Sequence, residues 1–480
     1  MERLSGLDAS FLYFETPAHL MHVCGLLVLD TSTVPGGYEF GRLRETLRNR
    51  LEHNRSFRRK LHNPMLNIDH PVWIDDEEFD IEHHVRRASV PAPGGDPELA
   101  GLCADIAGQP LDRSRPLWEM WLIDGLAEPG RIAVMTKMHH ATVDGVSGAS
   151  LVSELCSIEP DALPFGAQEE HPPTPKRPRD RDIVIDGLIG VAKRPLHLAA
   201  VLPGTLGAIP NWIGRARRGT AMPAPFTAPR TSLNATITGH RTVAFARLDL
   251  HEIKQIKNAF GTTVNDVVLA MCSGALRRYL DDNGELPDSS LIAMVPVSVH
   301  GKTKRGGTNK VSGMFANLAS DIEDPAQRLL AIAEANRAAK EHHQTLSASL
   351  LQDWAQFAAP NTFGMAVRVY SKLRLADRHP VVHNLVISNV PGPPMPIYFA
   401  GARVVGFFPF GPVFHGAGLN ITVLSNDGHV DVGLIAAREL APHLWSLADD
   451  LGLELAALVK AAREHGDAPT PKRKQRAARA

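Results

Sequence analysis

Cysteine is scarce and scattered in this chain. The four present, Cys24, Cys103, Cys156 and Cys272, each sit in an apolar neighbourhood, and no Cys-x-x-Cys pair occurs. That argues against a disulfide framework or a zinc knuckle and leaves four small core residues in a reducing compartment. An excess of one charge is also lacking: 51 Lys and Arg stand against 52 Asp and Glu, a net charge of -1. Such a balance supplies no global attraction to nucleic acid, and no nucleic-acid partner is expected. No window approaches about 20 uninterrupted apolar residues, so no membrane-spanning helix is expected. The first residues, Met1-Glu2-Arg3-Leu4-Ser5-Gly6-Leu7-Asp8, lack the charged-then-apolar layout of a secretory signal. The expected location is the cytoplasm, at most peripheral on a membrane.

At 480 residues the chain exceeds the length at which one hydrophobic core usually stops growing, so two domains are expected. Apolar content of 44% and charged content of 21% suit a globular protein with sizeable cores. A break in composition divides the chain. Residues 159–181 are Pro-rich and charged, and a run such as His171-Pro172-Pro173-Thr174-Pro175-Lys176-Arg177-Pro178 suits neither helix nor central strand. We expect an N-terminal domain over 1–158, this linker over 159–181, an apolar segment over 182–218, a C-terminal domain over 219–468 and a disordered tail over 469–480. The apolar segment carries Pro195, Pro203 and Pro210 and ends in Arg215, Arg217 and Arg218; the tail holds Lys472, Arg473, Lys474, Arg476 and Arg479. Both are candidates for contact with an anionic lipid surface, set against the plainer readings of core and solvated tail.

Periodicity places the elements. In the first half a strand is expected near 21–29, then a helix with Phe40, Leu43, Leu47 and Leu51 on one face. Asp96-Pro97-Glu98 predicts a helix with Asp96 as N-cap, burying Leu99, Leu102, Cys103 and Ile106. Strands near 118–123 and 132–138 precede a helix over 145–156. In the second half a strand over 241–248 leads to a helix over 250–260 and another from 264, then a strand over 291–297 and a helix capped by Asp324-Pro325. Four short strands follow near 382–388, 404–408, 419–424 and 430–434. Strands and helices mix without a strict βαβ alternation, which reads as an α/β (α+β) chain of two similar sandwich-like domains packed side by side.

The chemistry concentrates in His139-His140-Ala141-Thr142-Val143-Asp144-Gly145, where two histidines close an apolar strand and Asp-Gly opens the helix that follows. Histidine can take a proton near neutral pH without large tuning, although a lone strand-end histidine is commonly structural. Zinc is one rival. Adjacent residues of a strand point to opposite faces and no His-Glu-x-x-His run occurs, so no metal is expected. A nucleophilic triad is another, but there is no Gly-x-Ser-x-Gly elbow, and Ser147 lies too near in sequence to be assigned. General-base catalysis remains: an imidazole deprotonates a hydroxyl, amine or thiol that attacks an acyl group directly.

The motif resembles the HHxxxDG signature of the CoA-dependent acyltransferase superfamily, which includes chloramphenicol acetyltransferases and peptide-synthetase condensation domains. The opening Leu4-Ser5-Gly6-Leu7-Asp8-Ala9-Ser10-Phe11, the stretch Pro116-Leu117-Trp118-Glu119, the pair Asn265-Asp266 and the turn Ser388-Asn389-Val390-Pro391-Gly392-Pro393 are similar to those of bacterial wax ester synthase/diacylglycerol acyltransferases. The resemblance covers nearly the whole chain, apart from linker and tail. It implies two chloramphenicol-acetyltransferase-like domains with an active-site tunnel between them, and transfer of a long-chain acyl group from acyl-CoA, as co-substrate, to diacylglycerol or a long-chain alcohol. No other cofactor is implied, and a peripheral place on the inner membrane face or on lipid droplets becomes a candidate location. By the same resemblance His140 is the proton acceptor, His139 its support and Asp144 the anchor of the loop. Gly145, Asn265, Asp266, Asn389, Pro391 and Gly392 are expected to shape the site. Asn265 also has a plainer reading, helix-end packing beside Thr263. His415, in a Pro409–Gly418 stretch with Asn420 on the next strand, has two readings, a further histidine reaching the cleft and, favoured, a plain loop position. The alternatives are an acyltransferase for another alcohol or amine, and a catalytically weak lipid-binding paralogue.

Overall fold

The computed structural model describes residues 2–34, 36–52, 57–63, 69–142, 155–160, 212, 214–216, 221–298, 311–345 and 360–467. The first half runs β1 (Glu2–Arg3), α1 (Gly6–Phe14), β2 (His22–Asp30), α2 (Phe40–Glu52), β3 (Arg59–His62), β4 (Val72–Asp75), β5 (Val85–Ser89), α3 (Asp96–Ala107), β6 (Trp118–Asp124), β7 (Arg131–His139) and β8 (Cys156–Ser157). The second half begins with β9 (Arg241–Asp249), α4 (Leu250–Phe260), α5 (Val264–Asp282), β10 (Ile292–Ser298), β11 (Val311–Asn317), α6 (Pro325–Thr345) and α7 (Pro360–Lys372). It ends with β12 (Leu385–Val390), β13 (Tyr398–Phe399), β14 (Ala402–Phe410), β15 (Leu419–Asn426), β16 (His429–Ala437) and α8 (Leu444–Asp467).

Two large sheets organise these elements. One has the order β5-β6-β7-β2-β14-β13-β8, the other β11-β10-β12-β15-β16-β9, and a small sheet β1-β4-β3 stands beside the first. The core of the first large sheet explains why β7 is apolar for most of its length. Eight of its nine residues are buried, because it lies between β6 and β2 with both faces covered. One face packs with Leu43, Leu47 and Leu51 of α2, the other with Leu99, Cys103 and Ile106 of α3. Shortening a fully buried leucine such as Leu27 of β2 to alanine is expected to cost about 2–5 kcal/mol.

Expectation and structure part at several places, beyond the short strands β1, β3, β4, β5, β11 and β13 that no periodicity marked. The N-cap of α3 is Gly95, one residue earlier than expected; its N–H donates to the Glu98 carboxylate at 2.9 Å, so Asp96 lies inside the first turn. The helix expected over 145–156 cannot reach its end, since Cys156 pairs with Phe399 in β8; residues 145–154 fall outside the described residues. α1 and α7 occupy stretches where no helix was expected. Last, the expected C-terminal domain over 219–468 is not a closed unit: β13 and β14 cross into the first sheet, where β14 pairs antiparallel with β2. The physical reason is the length of β14. Its nine residues are long and apolar enough to complete the first sheet, with Phe407 in one of that sheet's cores and Phe408 and Phe410 in the other.

The second core is built on α5, whose residues 266–276 are all buried between the second sheet and α8. α4 and α5 together are apolar enough to suggest a broken span, but Gly261, in the left-handed conformation with φ 65°, turns the chain between them. The apolar residues of α5 are spent on this core. Among the described residues no single helix is long and apolar enough to cross a membrane. A third cluster joins the halves: Cys24, Leu26 and Phe408 meet Val243, Phe245 and Ile435 across the two sheets, with α3 packed on both. Of the expected apolar segment over 182–218, residues 212 and 214–216 are described; Trp212 packs with Met222 and Met314 and donates from Nε1 to the Met222 carbonyl at 3.0 Å. The linker beyond residue 160 and the tail lie outside the described residues.

Candidate active site

β7 delivers the two histidines to different surroundings. His139, its last residue, lies opposite His22 of β2 and is 1% exposed. Its Nδ1 accepts the Ala141 N–H at 3.0 Å, which leaves the ring proton on Nε2. That nitrogen is 3.2 Å from Glu15 Oε1, in a bent approach that is more an electrostatic pairing than a straight hydrogen bond. His140 is half-buried, with its ring 4.4 Å from that of Phe11 and tilted by 37°.

The backbone around the pair is pinned from both sides. The His139 N–H donates to Leu117 and the His140 N–H to Met21, at 3.0 and 2.7 Å, while the Thr142 hydroxyl donates to the His139 carbonyl at 2.6 Å. Leu117 belongs to the Pro116–Glu119 stretch, so one part of that motif holds the strand end. Its neighbours hold other points. Trp118 Nε1 donates to the Phe57 carbonyl at 2.7 Å, and Glu119 pairs at 3.0 Å with Lys137, an ammonium group fully buried behind the site. The opening motif has an equally local cause. Ser5 caps α1 by accepting the Asp8 N–H at 3.1 Å, and one turn later the helix presents Phe11 to His140.

Glu15 is the residue that sequence reasoning missed. It sits just after α1, 12% exposed, and its Oε1 accepts the Met21 N–H at 3.0 Å while Oε2 accepts from Arg113 at 2.6 Å. His22 Nε2 is 3.7 Å away. Burial alone would raise the pKa of this carboxyl; the His139 contact, with His22 and Arg113, more than reverses that and holds it well below the usual range. A signal was present: Glu15 is the one acidic side chain in the apolar run between Asp8 and Asp30. Buried among these groups, His22 and His19 have their pKa values pushed down to about 3, burial being the largest cause for each.

The remaining expected residues divide. Asn265 and Asn389 come together, Asn389 Nδ2 donating to Asn265 Oδ1 at 3.5 Å, at the start of α5 and the end of β12. No hydrogen bond joins this pair to the His139–Glu15 group among the described residues. Asp266 is 4% exposed and works inside the fold. It closes a capping box with Thr263 and accepts from Asn336 Nδ2 at 2.7 Å, fixing the helix end that carries Asn265. Pro391 is exposed, whereas Gly392 donates to Ser425 Oγ at 3.0 Å in a spot where a Cβ would overlap the Ser425 carbonyl. His415 lies in the turn between β14 and β15, where its Nδ1 accepts the Ile237 N–H at 3.2 Å and its ring lies 5.9 Å from His19, with burial lowering its pKa. Asn420 is buried and occupied by Pro412 and Thr422. Asp144 and Gly145 lie outside the described residues. No group of three or more metal-ligating side chains occurs among the described residues.

Two family models match this chain: the wax ester synthase/diacylglycerol acyltransferase catalytic domain over residues 4–268 and the C-terminal domain of the same family over 307–459. The chain belongs to the wax ester synthase/diacylglycerol acyltransferase family. A Mycobacterium tuberculosis protein carrying the provisional name diacylglycerol O-acyltransferase is 47% identical over 466 residues, spanning 96% of this chain and 90% of the relative. The solved wax ester synthase/diacylglycerol acyltransferase of Marinobacter aquaeolei is 30% identical with a TM-score of 0.70, covering 96% of this chain and all of the other. The first condensation domain of the calcium-dependent antibiotic synthetase shares the fold, with a TM-score of 0.55 at 15% identity over 96% of each chain. The fold is therefore the two-domain mixed α/β arrangement of this superfamily, and the chain is an acyltransferase.

Proposed function

We propose that this acyltransferase moves a long-chain acyl group from acyl-CoA to the hydroxyl of diacylglycerol, giving triacylglycerol, with a long-chain alcohol as a second acceptor. Family membership and the names of its relatives support both acceptors. His140 is the general base. It takes the acceptor's hydroxyl proton as the oxygen attacks the thioester carbonyl, and the C–S bond breaks as the tetrahedral adduct collapses. The proton then passes to the CoA thiolate. The thioester is already an activated acyl donor, so the step requires no metal or further cofactor. General-base assistance of this kind is worth about 10²–10⁴-fold.

The observation that carries the reading is the inequality of the pair. His139 is sealed against Glu15, whereas His140 leaves the strand half-buried with its ring on Phe11. In this reading Asp144 anchors the loop, Gly145 permits its turn, and the Asn265–Asn389 contact, with Pro391 and Gly392, shapes the facing wall of a tunnel between the domains. The enzyme works in the cytoplasm at the inner membrane face or on lipid droplets, where its acceptor resides. The test is His140→Ala assayed with radiolabelled oleoyl-CoA and with diacylglycerol and hexadecanol as separate acceptors. Product should fall by about 10²-fold or more with both acceptors while the melting temperature is kept. Turnover near wild type would refute the assignment.

A further inference from the structure

α7 has an outer face that the described residues leave uncovered. Met365, Val369 and Leu373 are 57%, 47% and 51% exposed, and they recur every fourth residue, so they stack into one stripe. Leu373 continues the helix by one residue, its N–H donating to the Val369 carbonyl at 2.9 Å. Scattered exposed apolar residues need no account, but a continuous stripe does. At 100° per residue, Arg368 and Lys372 lie along the edge of this stripe, and both are exposed. The helix contains no acidic residue. Just beyond it come Arg378 and Arg374, the latter paired at 2.7 Å with Asp377. Phe226 adds a second sign. It is 54% exposed with a left-handed φ of 66°, unfavourable for a bulky side chain, and its ring meets His379, which in turn bonds the Tyr370 hydroxyl of α7.

We propose that the outer face of α7 docks the enzyme on an anionic lipid surface, Met365, Val369 and Leu373 entering the apolar layer while Arg368 and Lys372 reach the headgroups. An apolar stripe edged by bases, without acids, is complementary to such a surface; a second copy of this face would set like charges against each other. The inner side of the helix leads to the chemistry. Phe363 meets Phe14 of α1 edge-on at 5.0 Å between ring centres, and α1 carries Phe11 against His140. A lipid acceptor drawn from the docked surface would thus arrive one helix away from the proposed base. The docking deepens the proposed place of work at a lipid surface, and the route rests on the proposed base; neither depends on the other.

Two variants test it, Met365→Asp/Val369→Asp/Leu373→Asp and Arg368→Glu/Lys372→Glu, all at exposed positions. Binding is read by co-sedimentation with phosphatidylcholine vesicles, with and without phosphatidylglycerol. Wild type should prefer the anionic vesicles, and more weakly at high salt. Each variant should bind them roughly tenfold or more weakly, since each base near the surface counts for about fivefold. Turnover of a short acyl-CoA with a short, water-soluble alcohol should be unchanged in both. Undiminished vesicle binding by the variants would overturn the proposal and point to another segment. Absent wild-type binding, or a dimer that the apolar variant abolishes without any lipid binding, would also overturn it. Wild-type binding lost in the variants would stand even if His140 proved dispensable, so the two readings fail separately.

Discussion

Replacing Glu15 by glutamine tests whether the buried carboxylate positions the strand end that carries the proposed base. The substitution keeps the shape and removes the charge. Glu15 accepts the Met21 N–H at Oε1 and Arg113 at Oε2, and His139 Nε2 makes its bent electrostatic approach to Oε1 at 3.2 Å. A glutamine amide must turn its NH2 group toward one of these sites, so every orientation sets donor against donor. Hydrogen bonds to a charged group contribute about 1.5–3 kcal/mol each, and removing one partner of a buried pair costs about 3–5 kcal/mol. Arg113 is half exposed, so its share is screened by water and is worth at most about 1 kcal/mol. The expected loss is about 3 kcal/mol, and the thermal midpoint should fall by several degrees.

The effect on rate follows from a different link. With its Nε2 side released, His139 can turn, and the Ala141 N–H bond that sets the chain beyond His140 loosens with it. Displacing a catalytic group by about 1 Å costs on the order of 10²-fold. In Glu15→Gln, measured by CoA release well below its midpoint, kcat should fall by about that factor with little change in KM for acyl-CoA. A variant with kcat within twofold of wild type refutes the positioning argument, whatever its stability. An unchanged midpoint refutes the energetic one.

The buried histidines predict an acid limb. The folded pKa values of His19 and His22, about 3, lie below the ordinary 6.5, so the fold holds both neutral and the unfolded chain binds more protons between those values. Stability is complete above pH 6.5 and falls by about 1.4 kcal/mol per unit for each histidine as pH drops toward 3. The Glu15 contribution, a lowered carboxyl pKa, persists until pH falls below about 4.5 and so cannot cause the earlier loss. Melting temperatures that stay flat from pH 7.5 to 5 would contradict this. Lys137→Met should cost about 3 kcal/mol by taking from Glu119 its buried partner, with only the half-exposed Arg86 at 3.5 Å and the Trp121 N–H left to it, and adding Glu119→Gln should recover part of it in calorimetry. Gly392→Ala should destabilise by about 1–3 kcal/mol or more, since the new methyl meets the Ser425 carbonyl; a neutral effect on the melting curve would show that the turn can shift.

What the sequence disclosed depended on how local its cause was. β2, β7, β15 and β16 are legible because buried strands demand runs of apolar residues, and α2 because its leucines recur at helical spacing. α7 is not legible in that way: Gly364, Val367 and Val369 disfavour helix, and its packing against α1, which no local pattern encodes, overrides them. The crossover of β13 and β14 is hidden for a similar reason. A strand's sequence shows that it will be buried and leaves open which sheet will bury it.

The same distinction governs the site. HHxxxDG marks His139 and His140 as a pair, yet what separates their roles is contributed from elsewhere in the chain: Glu15 and Met21 from the turn before β2, Phe11 from α1 and Leu117 from the start of β6. None of these four belongs to the motif, and each acts through geometry that spacing cannot express. Adjacent strand residues must face opposite ways, so one histidine of any such pair turns inward. The inward one costs stability unless a partner meets it, and the Glu15 carboxylate is that partner, itself kept ionised by the histidine and Arg113. The outward one is held by its backbone bond to Met21 and by the Phe11 ring. The burial of His139 against Glu15 and the half-buried place of His140, on which the proposed division of roles rests, are thus two consequences of one strand ending where it does.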